Sequence, residues 1–401
     1  MNPLIVKKHW QRAAQWIEMY DHSQSFELFF RSQTAQYKNM GSRDRKHVKQ
    51  ACYAALRLGK AYSYLSTYNK IVLYFRLFIQ TPNLDFDSLW DAEANAPIEF
   101  DPKGRPLDWD AQLMNLFPAY SLLSQRFQNS HFLLSHTSQG FLFFRMIKPD
   151  KKEAIREPIQ YTEVRPGIYS VPAQTQLNSF VEKGWVQVQD ISSQEACMNM
   201  SFPDGAKVWD VCAGAGGKCI HLLSRYPNLL FYTSDIRPQI LRNLKKRMVL
   251  YGLPQPPTAV LNMALPQDVL HFNILNEKQK SIHALYKNPI ANPYFDALLI
   301  DVPCTGSGVW RRNPEHLSRF NEHAVKEYII KQRNIVTHSL PFLKPGGTLY
   351  YITCSVFKAE NEEQSLYFEN TLGLQKKSET YFDSVSIGGD ILFLSVWVKK
   401  D

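Results

Sequence analysis

The sequence predicts a Rossmann-like, doubly wound and mainly parallel α/β sheet, preceded by a helical amino-terminal domain with a small α+β unit between them. Three observations carry that expectation. From Gly184 onward, apolar runs of strand length alternate with long amphipathic segments. KVWDVC, LLFYTSD, TAVLN, FDALLID and TLYYITC read as strands, RPQILRNLKKRMVLYG as a helix, and LFLSVWVKK as a last strand near the terminus. The first strand runs through a glycine-rich turn, DVCAGAGGKC, into a helical pattern. Lastly, several strands end on residues that carry chemistry, Asp235, Asp301 and Cys354 among them, and open α/β sheets hold ligands beyond the carboxyl ends of their strands.

The preceding elements are read in order. Residues 1–80 form a helical, basic domain. In GSRDRKHVKQACYAALRLGK, Ser42 stands as an N-cap and Val48, Ala51, Cys52 and Ala55 share an apolar face. Arg43, Arg45, Lys46, Lys49 and Arg57 fall on the other face, either solvated or set to meet phosphates. Residues 81–128 turn acidic and proline-containing without a sustained period, which predicts a linker and a connecting helix. Residues 129–183, with GFLFFRMI and GIYSVP as short strands, predict the small α+β unit, and residues 184–401 the main domain.

Composition narrows the function classes. With 401 residues, 44% hydrophobic and 21% charged, the chain is long enough for more than one core and too apolar to be disordered. A formal net charge of +9 suits a polyanionic partner, nucleic acid foremost, with an anionic membrane surface as the other option. Six scattered cysteines with no CxxC pair argue against a zinc site and against a disulfide framework, so no metal is expected. MNPLIVKKHWQRAAQW lacks the apolar run of a signal peptide, and no window holds ~18 uninterrupted apolar residues. The expectation is a cytoplasmic protein without a membrane span, a monomer by default, with free thiols.

The glycine-rich turn discriminates between ligands. A Walker loop would need glycine where Cys212 stands and Ser or Thr where Cys219 stands. A dinucleotide fingerprint starts with Gly214 and Gly216 but meets Cys219 at its third glycine. The choice that is left is a nucleoside without pyrophosphate, such as S-adenosylmethionine, held by Cys212, Ala213, Gly214, Ala215, Gly216, Gly217 and Lys218. Asp235 follows about 20 residues on, the spacing of an acid that receives ribose hydroxyls. With Pro238 next, Asp235 also fits a helix N-cap.

Cys354 is open to two readings, a small buried hydrophobe or a nucleophile. FDALLIDVPCTGSGVWRRNPE brings Asp301 and Cys304 past a neighbouring strand end, so two thiols and an acid converge beside a methyl donor. DVCAGAGGKC, DVPCTGSGVWRRNPE, ITCSVFKAENEE and GWVQVQDISSQ together resemble the Sun/Fmu family of RNA cytosine-5 methyltransferases, over roughly residues 130–401. GSRDR resembles, more thinly, the helical amino-terminal domain of its methyltransferase B branch.

The resemblance implies an S-adenosylmethionine-dependent methyltransferase fold and an RNA substrate, ribosomal ahead of transfer RNA. It implies that Cys354 attacks carbon 6 of cytosine, that Cys304 assists elimination, and that Asp301 holds or protonates the ring nitrogen and lies beside the cofactor. It also implies an RNA-binding role for residues 129–183. The chemistry has use for such a pair. A thiolate on carbon 6 turns carbon 5 into an enamine-type nucleophile, and a base must then remove its proton so that the thiol can leave. Lys218 is expected to supply positive charge that lowers a thiol pKa. Arg311 and Arg312 are expected at RNA phosphates, against the plainer reading of a solvated basic pair.

Some residues depart from the family. Ala264 stands where the family carries an aspartate for the adenine amine, with Asn262, Asp268 or a backbone carbonyl as substitutes. Cys219 replaces a threonine, and Arg145, Met146 and Ile147 replace an Arg-Val-Asn run. The altered third motif at Ala264 keeps a second class in view, a catalytically weak methyltransferase-fold RNA-binding or ribosome-assembly factor. The intact cysteine pair speaks for the enzyme.

Overall fold

The computed structural model describes residues 2–79, 84–265, 273–274 and 293–400. They divide into two compact units, Met1–Gln139 with Trp310–Glu322, and Gly140–Val309 with His323–Asp401.

The first unit is helical. Its four main helices are Pro3–Glu18, Phe26–Gln36, Ser42–Arg57 and Thr67–Tyr74. Their apolar faces bury an aromatic-rich core that includes Trp10, Trp16, Phe26 and Phe30. Val48, Ala51, Cys52 and Ala55 are buried together, as their spacing requires. The N-cap is Gly41 rather than Ser42, which is already helical. Arg57 leaves the charged face to which its spacing assigned it. It is buried and donates to the carbonyls of His136, Ser138 and Arg311, because carbonyls at chain reversals need donors that their own backbone does not supply. The stretch 81–128 holds the helices Phe86–Leu89 and Trp109–Leu116 and belongs to this unit. The chain returns to it at Trp310, which is buried and stacks on Phe117 at 5.0 Å.

The second unit holds both sheets. The smaller comprises β1 (Phe141–Met146), β2 (Thr162–Arg165), β3 (Ile168–Pro172) and β4 (Val186–Val188), all antiparallel in the order β2-β3-β1-β4. β4 joins this sheet although it lies beyond residue 183, because Phe144, Arg145 and Met146 pair with it.

The larger sheet comprises β5 (Lys207–Asp210), β6 (Leu230–Asp235), β7 (Thr258–Val260), β8 (Asn273–Ile274), β9 (Phe295–Asp301), β10 (Leu343–Thr353), β11 (Gln375–Asp383) and β12 (Ile391–Val398). Its order is β11-β12-β10-β9-β5-β6-β7-β8. The five strands from β7 to β10 are parallel, and antiparallel strands stand at both edges. This is the doubly wound, mainly parallel sheet that the alternation predicts.

Period-2 alternation feeds a core on each face. Val208, Phe231, Leu299 and Ile352 face one layer of helices, and Trp209, Leu298, Ile300 and Tyr351 the other. β11 escaped prediction because QKKSETYFD is exposed along most of its length, so an edge strand shows no apolar period.

β5 is the first strand of the sheet, with β6 and β7 on one side and β9 and β10 on the other. The order therefore reverses between β5 and β9, and a crevice opens beyond their carboxyl ends.

Candidate active site

A cleft of about 620 Å³ occupies that crevice. The turn after β5 forms one wall. Gly216 and Gly214 have φ of +78° and +54°, a region in which glycine is at ease. At Gly216 a side chain is also excluded by packing, since a Cβ would lie 2.8 Å from Leu244. The helix Gly217–Arg225 starts there, its first N–H groups facing the turn.

Asp235 ends β6 and is buried. It accepts from Gly214 N–H at 3.0 Å and, through its other oxygen, from Arg237 N–H and Nε, each at 2.9 Å. It is not the N-cap of the helix Pro238–Leu250; Arg237 holds that position. The Arg237 guanidinium itself is largely exposed, so this partner can be exchanged without opening the core.

Asp210 ends β5, lines the cleft, and is 2% exposed. Its Oδ1 has no hydrogen-bond partner. Burial, then the neighbouring Asp301 charge, pushes its carboxyl well above the usual range. A buried acceptor of this kind aimed at a cleft calls for a donor from a ligand.

The two cysteine loops form the opposite wall. Cys304 follows β9 and Cys354 follows β10, and their sulfurs stand 3.5 Å apart. Parallel pairing of these strands brings Asp301 opposite Ile352, which sets the two loops side by side. Gly308 permits the approach. Its N–H donates to the Cys354 carbonyl at 2.8 Å, and a Cβ there would lie 2.5 Å from the Ile391 carbonyl oxygen.

The hydrogen bond with Cys354, then burial, raises the Cys304 thiol well above the usual range, with the Glu360 charge adding to the effect. Lys218 donates to Asp301 at 2.5 Å. Burial alone would lower its ammonium, but the Asp301 carboxylate outweighs that and holds it above the ordinary lysine value. Lys218 thus directs its charge at Asp301, and the thiol of Cys304 moves up rather than down. Cys212 and Cys219 are raised by burial, and Cys219 is a core side chain.

Of the residues singled out in the sequence, Cys212, Ala213, Gly214, Ala215, Gly217, Lys218, Asp235, Asp301, Cys304 and Cys354 line this one cleft, and Gly216 sits behind the turn. Arg311 and Arg312 belong to the first unit, where Arg311 donates to the Ser138 hydroxyl at 2.9 Å. Asn262 lines the cleft and accepts from Ala264 N–H, whereas Ala264 is packed in the core. Asp268 lies outside the described residues. Arg145 donates to Gln187, Ser224 and the Ile220 carbonyl, tying the small sheet to the helix Gly217–Arg225.

The sequence alone singles out neither Asp210 nor Glu360. In sequence, Asp210 reads only as part of its strand. Glu360 and Asn361 stood in plain view after the cysteine, but nothing in one sequence marks an acid as buried. Among the described residues, no group of three His, Cys, Asp or Glu side chains is arranged to hold a metal. No described helix is long and apolar enough to cross a membrane.

Fold and cleft define a methyltransferase-type α/β protein. The whole chain superposes on the crystal structure of PH0851 with a TM-score of 0.66 at 18% identity, covering 100% of this chain and 99% of that one. NSun6 from Pyrococcus horikoshii, crystallised with SFG, gives 0.58 at 13% identity, covering 72% of this chain and all of that one. More particularly, residues 198–387 match the family described as 16S rRNA methyltransferase RsmB/F. Ribosomal RNA small subunit methyltransferase B of Photorhabdus laumondii subsp. laumondii is 31% identical over 192 residues, which are 46% of this chain. The chain spans 38% of the length of that relative. The family resemblance drawn from the cysteine motifs is thereby borne out.

Proposed function

We propose that the protein is an S-adenosylmethionine-dependent RNA cytosine-5 methyltransferase acting on ribosomal RNA. The observation that carries the reading is the thiol pair, two sulfurs 3.5 Å apart beside a Lys218–Asp301 ion pair in the crevice of the sheet. The matched family and the named relative support ribosomal RNA as the substrate class.

The cleft suits the cofactor. The orphaned Asp210 oxygen fits the ammonium of the methionine part, and the Asp235 carboxylate fits ribose hydroxyls. Leu261, Met263 and Ile335 offer an apolar surface to the adenine. When bound, S-adenosylmethionine supplies an electrophilic methyl group. The chain's own residues make the cytosine able to take it. Cys354, as thiolate, forms a bond to carbon 6, and the electron pair displaced from the ring double bond becomes available at carbon 5. Asp301, oriented by Lys218, holds the ring nitrogen on which charge gathers, through a proton shared between the carboxyl group and that nitrogen, so the proton and not the carboxylate meets the charge. Once carbon 5 is methylated, loss of its proton to a base re-forms the double bond and expels the Cys354 thiolate. Cys304, at contact distance, shares its proton with the departing sulfur. A cytosine reaches this cleft only when unpaired or flipped out of its helix.

The test uses wild type, Cys354→Ala and Cys304→Ala, incubated with cellular RNA and labelled S-adenosylmethionine and run on denaturing gels. Labelled 5-methylcytosine is expected from wild type and none from Cys354→Ala. Cys304→Ala is expected to give a protein–RNA adduct that survives denaturation. If wild type transfers no label and neither variant forms an adduct while RNA is still bound, the assembly-factor reading replaces this one.

A further inference from the structure

Glu360 is fully buried and accepts four hydrogen bonds. Thr305, which follows Cys304, donates twice, through its N–H at 3.0 Å and its hydroxyl at 2.6 Å. Ser355, which follows Cys354, donates its hydroxyl to the same carboxylate. Gln332, from the helix His323–Ser339, donates the fourth at 2.9 Å. Asn361 completes the arrangement. It accepts from Thr353 at 2.6 Å and donates to the Ser355 carbonyl at 2.8 Å, so it grips the Cys354 loop on both sides of the cysteine.

We propose that Glu360 is a positioning residue for the thiol pair, its carboxylate clamping the Cys304 loop to the Cys354 loop and fixing the separation of the two sulfurs. This deepens the methyltransferase reading and, as to turnover, rests on it.

The chemistry of the clamp favours a carboxylate over a plain brace. All four partners are donors, so the site needs two acceptor oxygens, and a glutamine would turn its NH2 toward donors on one side. None of the four donors is a cation. Burial raises the Glu360 pKa, and the hydrogen bonds from Ser355, Thr305 and Gln332 oppose that rise. A buried charge without an ion partner is costly, and a structural brace has no need of one. This charge faces Cys304 and contributes to holding its proton in place. A competing role exists. Glu360 lies just before the helix Glu362–Asn370, where an acid favours the N-terminal dipole. That role would leave the thiols untouched.

The experiment reads the thiols directly in the full chain. Wild type, Glu360→Gln, Glu360→Asp and Thr305→Val are alkylated with iodoacetamide from pH 6 to 10. Each cysteine is followed by peptide mass spectrometry, and folding is checked by circular dichroism. In Glu360→Gln, alkylation of Cys304 at a fixed pH is expected to be roughly tenfold faster, because a neighbouring negative charge has gone. Glu360→Asp keeps the charge and should keep the wild-type Cys304 rate. Thr305→Val cuts one strut and should speed alkylation of both cysteines even if Glu360→Gln fails to fold. In the RNA assay, Glu360→Gln should lose at least tenfold in turnover and accumulate adduct.

A folded Glu360→Gln with an unchanged Cys304 profile overturns the proposal, as does a Thr305→Val indistinguishable from wild type at both thiols. If wild type transfers no methyl group, the methyltransferase reading fails, while the alkylation profiles still decide the clamp.

Discussion

Replacing Lys218 with methionine removes one charge from the cleft and keeps the bulk of the side chain. Lys218 and Asp301 are 2.5 Å apart, with side chains 11% and 36% exposed. Removing one partner of a fully buried pair costs about 3–5 kcal/mol, chiefly because the other charge is stranded. Asp301 is exposed enough for water to reach it, which brings the expected loss to about 2 kcal/mol, the level of a hydrogen bond to a charged group. For a unit of this size that lowers the melting midpoint by about 4–8 °C.

The pH dependence follows from the direction of the lysine shift. Lys218 holds its proton more tightly folded than unfolded, so its contribution is fully present below the ordinary lysine pKa of about 10.4 and is lost as pH rises through the higher folded value. The gap between wild type and Lys218→Met should therefore stay constant from pH 6 to 9 and close above about 10.4. Thermal melts followed by circular dichroism over that range measure it. A variant melting within about 1 °C of wild type at pH 7, or a gap that persists undiminished at pH 11, would falsify the account of a coupled ion pair.

Two further substitutions probe the same cleft. Asp210 binds its proton more tightly folded than unfolded, so wild type loses stability as pH rises above the ordinary aspartate value of about 3.9. Asp210→Asn should thus gain on wild type across pH 4–7, by about 1–3 kcal/mol for a buried unsatisfied group. It should also lose the rise in melting temperature that S-adenosylmethionine gives wild type; equal ligand stabilisation in both proteins would count against Asp210 as the ammonium partner. Gly308→Ala sets a Cβ against two backbone oxygens and should cost on the order of 1–3 kcal/mol while prising the cysteine loops apart. Melting curves and faster alkylation of Cys304 check this, and an unaltered Cys304 rate would show that the loops do not depend on the close approach.

The sequence by itself determined the sheet and the identity of most cleft residues. Strand periodicity is a local property, and a strand such as FDALLID, buried on both faces over ALLI, shows it as a short apolar run. The glycine turn and the two cysteine motifs are equally local, because each must end a strand in a given residue type. Edge strand β11 carried no such signal, since only one neighbour and little core constrain it.

Tertiary structure decided what depends on contacts between distant segments. Arg57 looks like surface on its helix, yet it is buried against the carbonyl of Arg311, which is 254 residues away in the chain. Asp235 fits both an N-cap and a ligand acid in sequence; only the fold sets it against Gly214 N–H and Arg237. Glu360 reads as one more acid near a helix start until parallel pairing of β9 and β10 brings Thr305 and Ser355 to its carboxylate. Burial of a charge is settled by everything packed around it, and no window of one sequence contains that information.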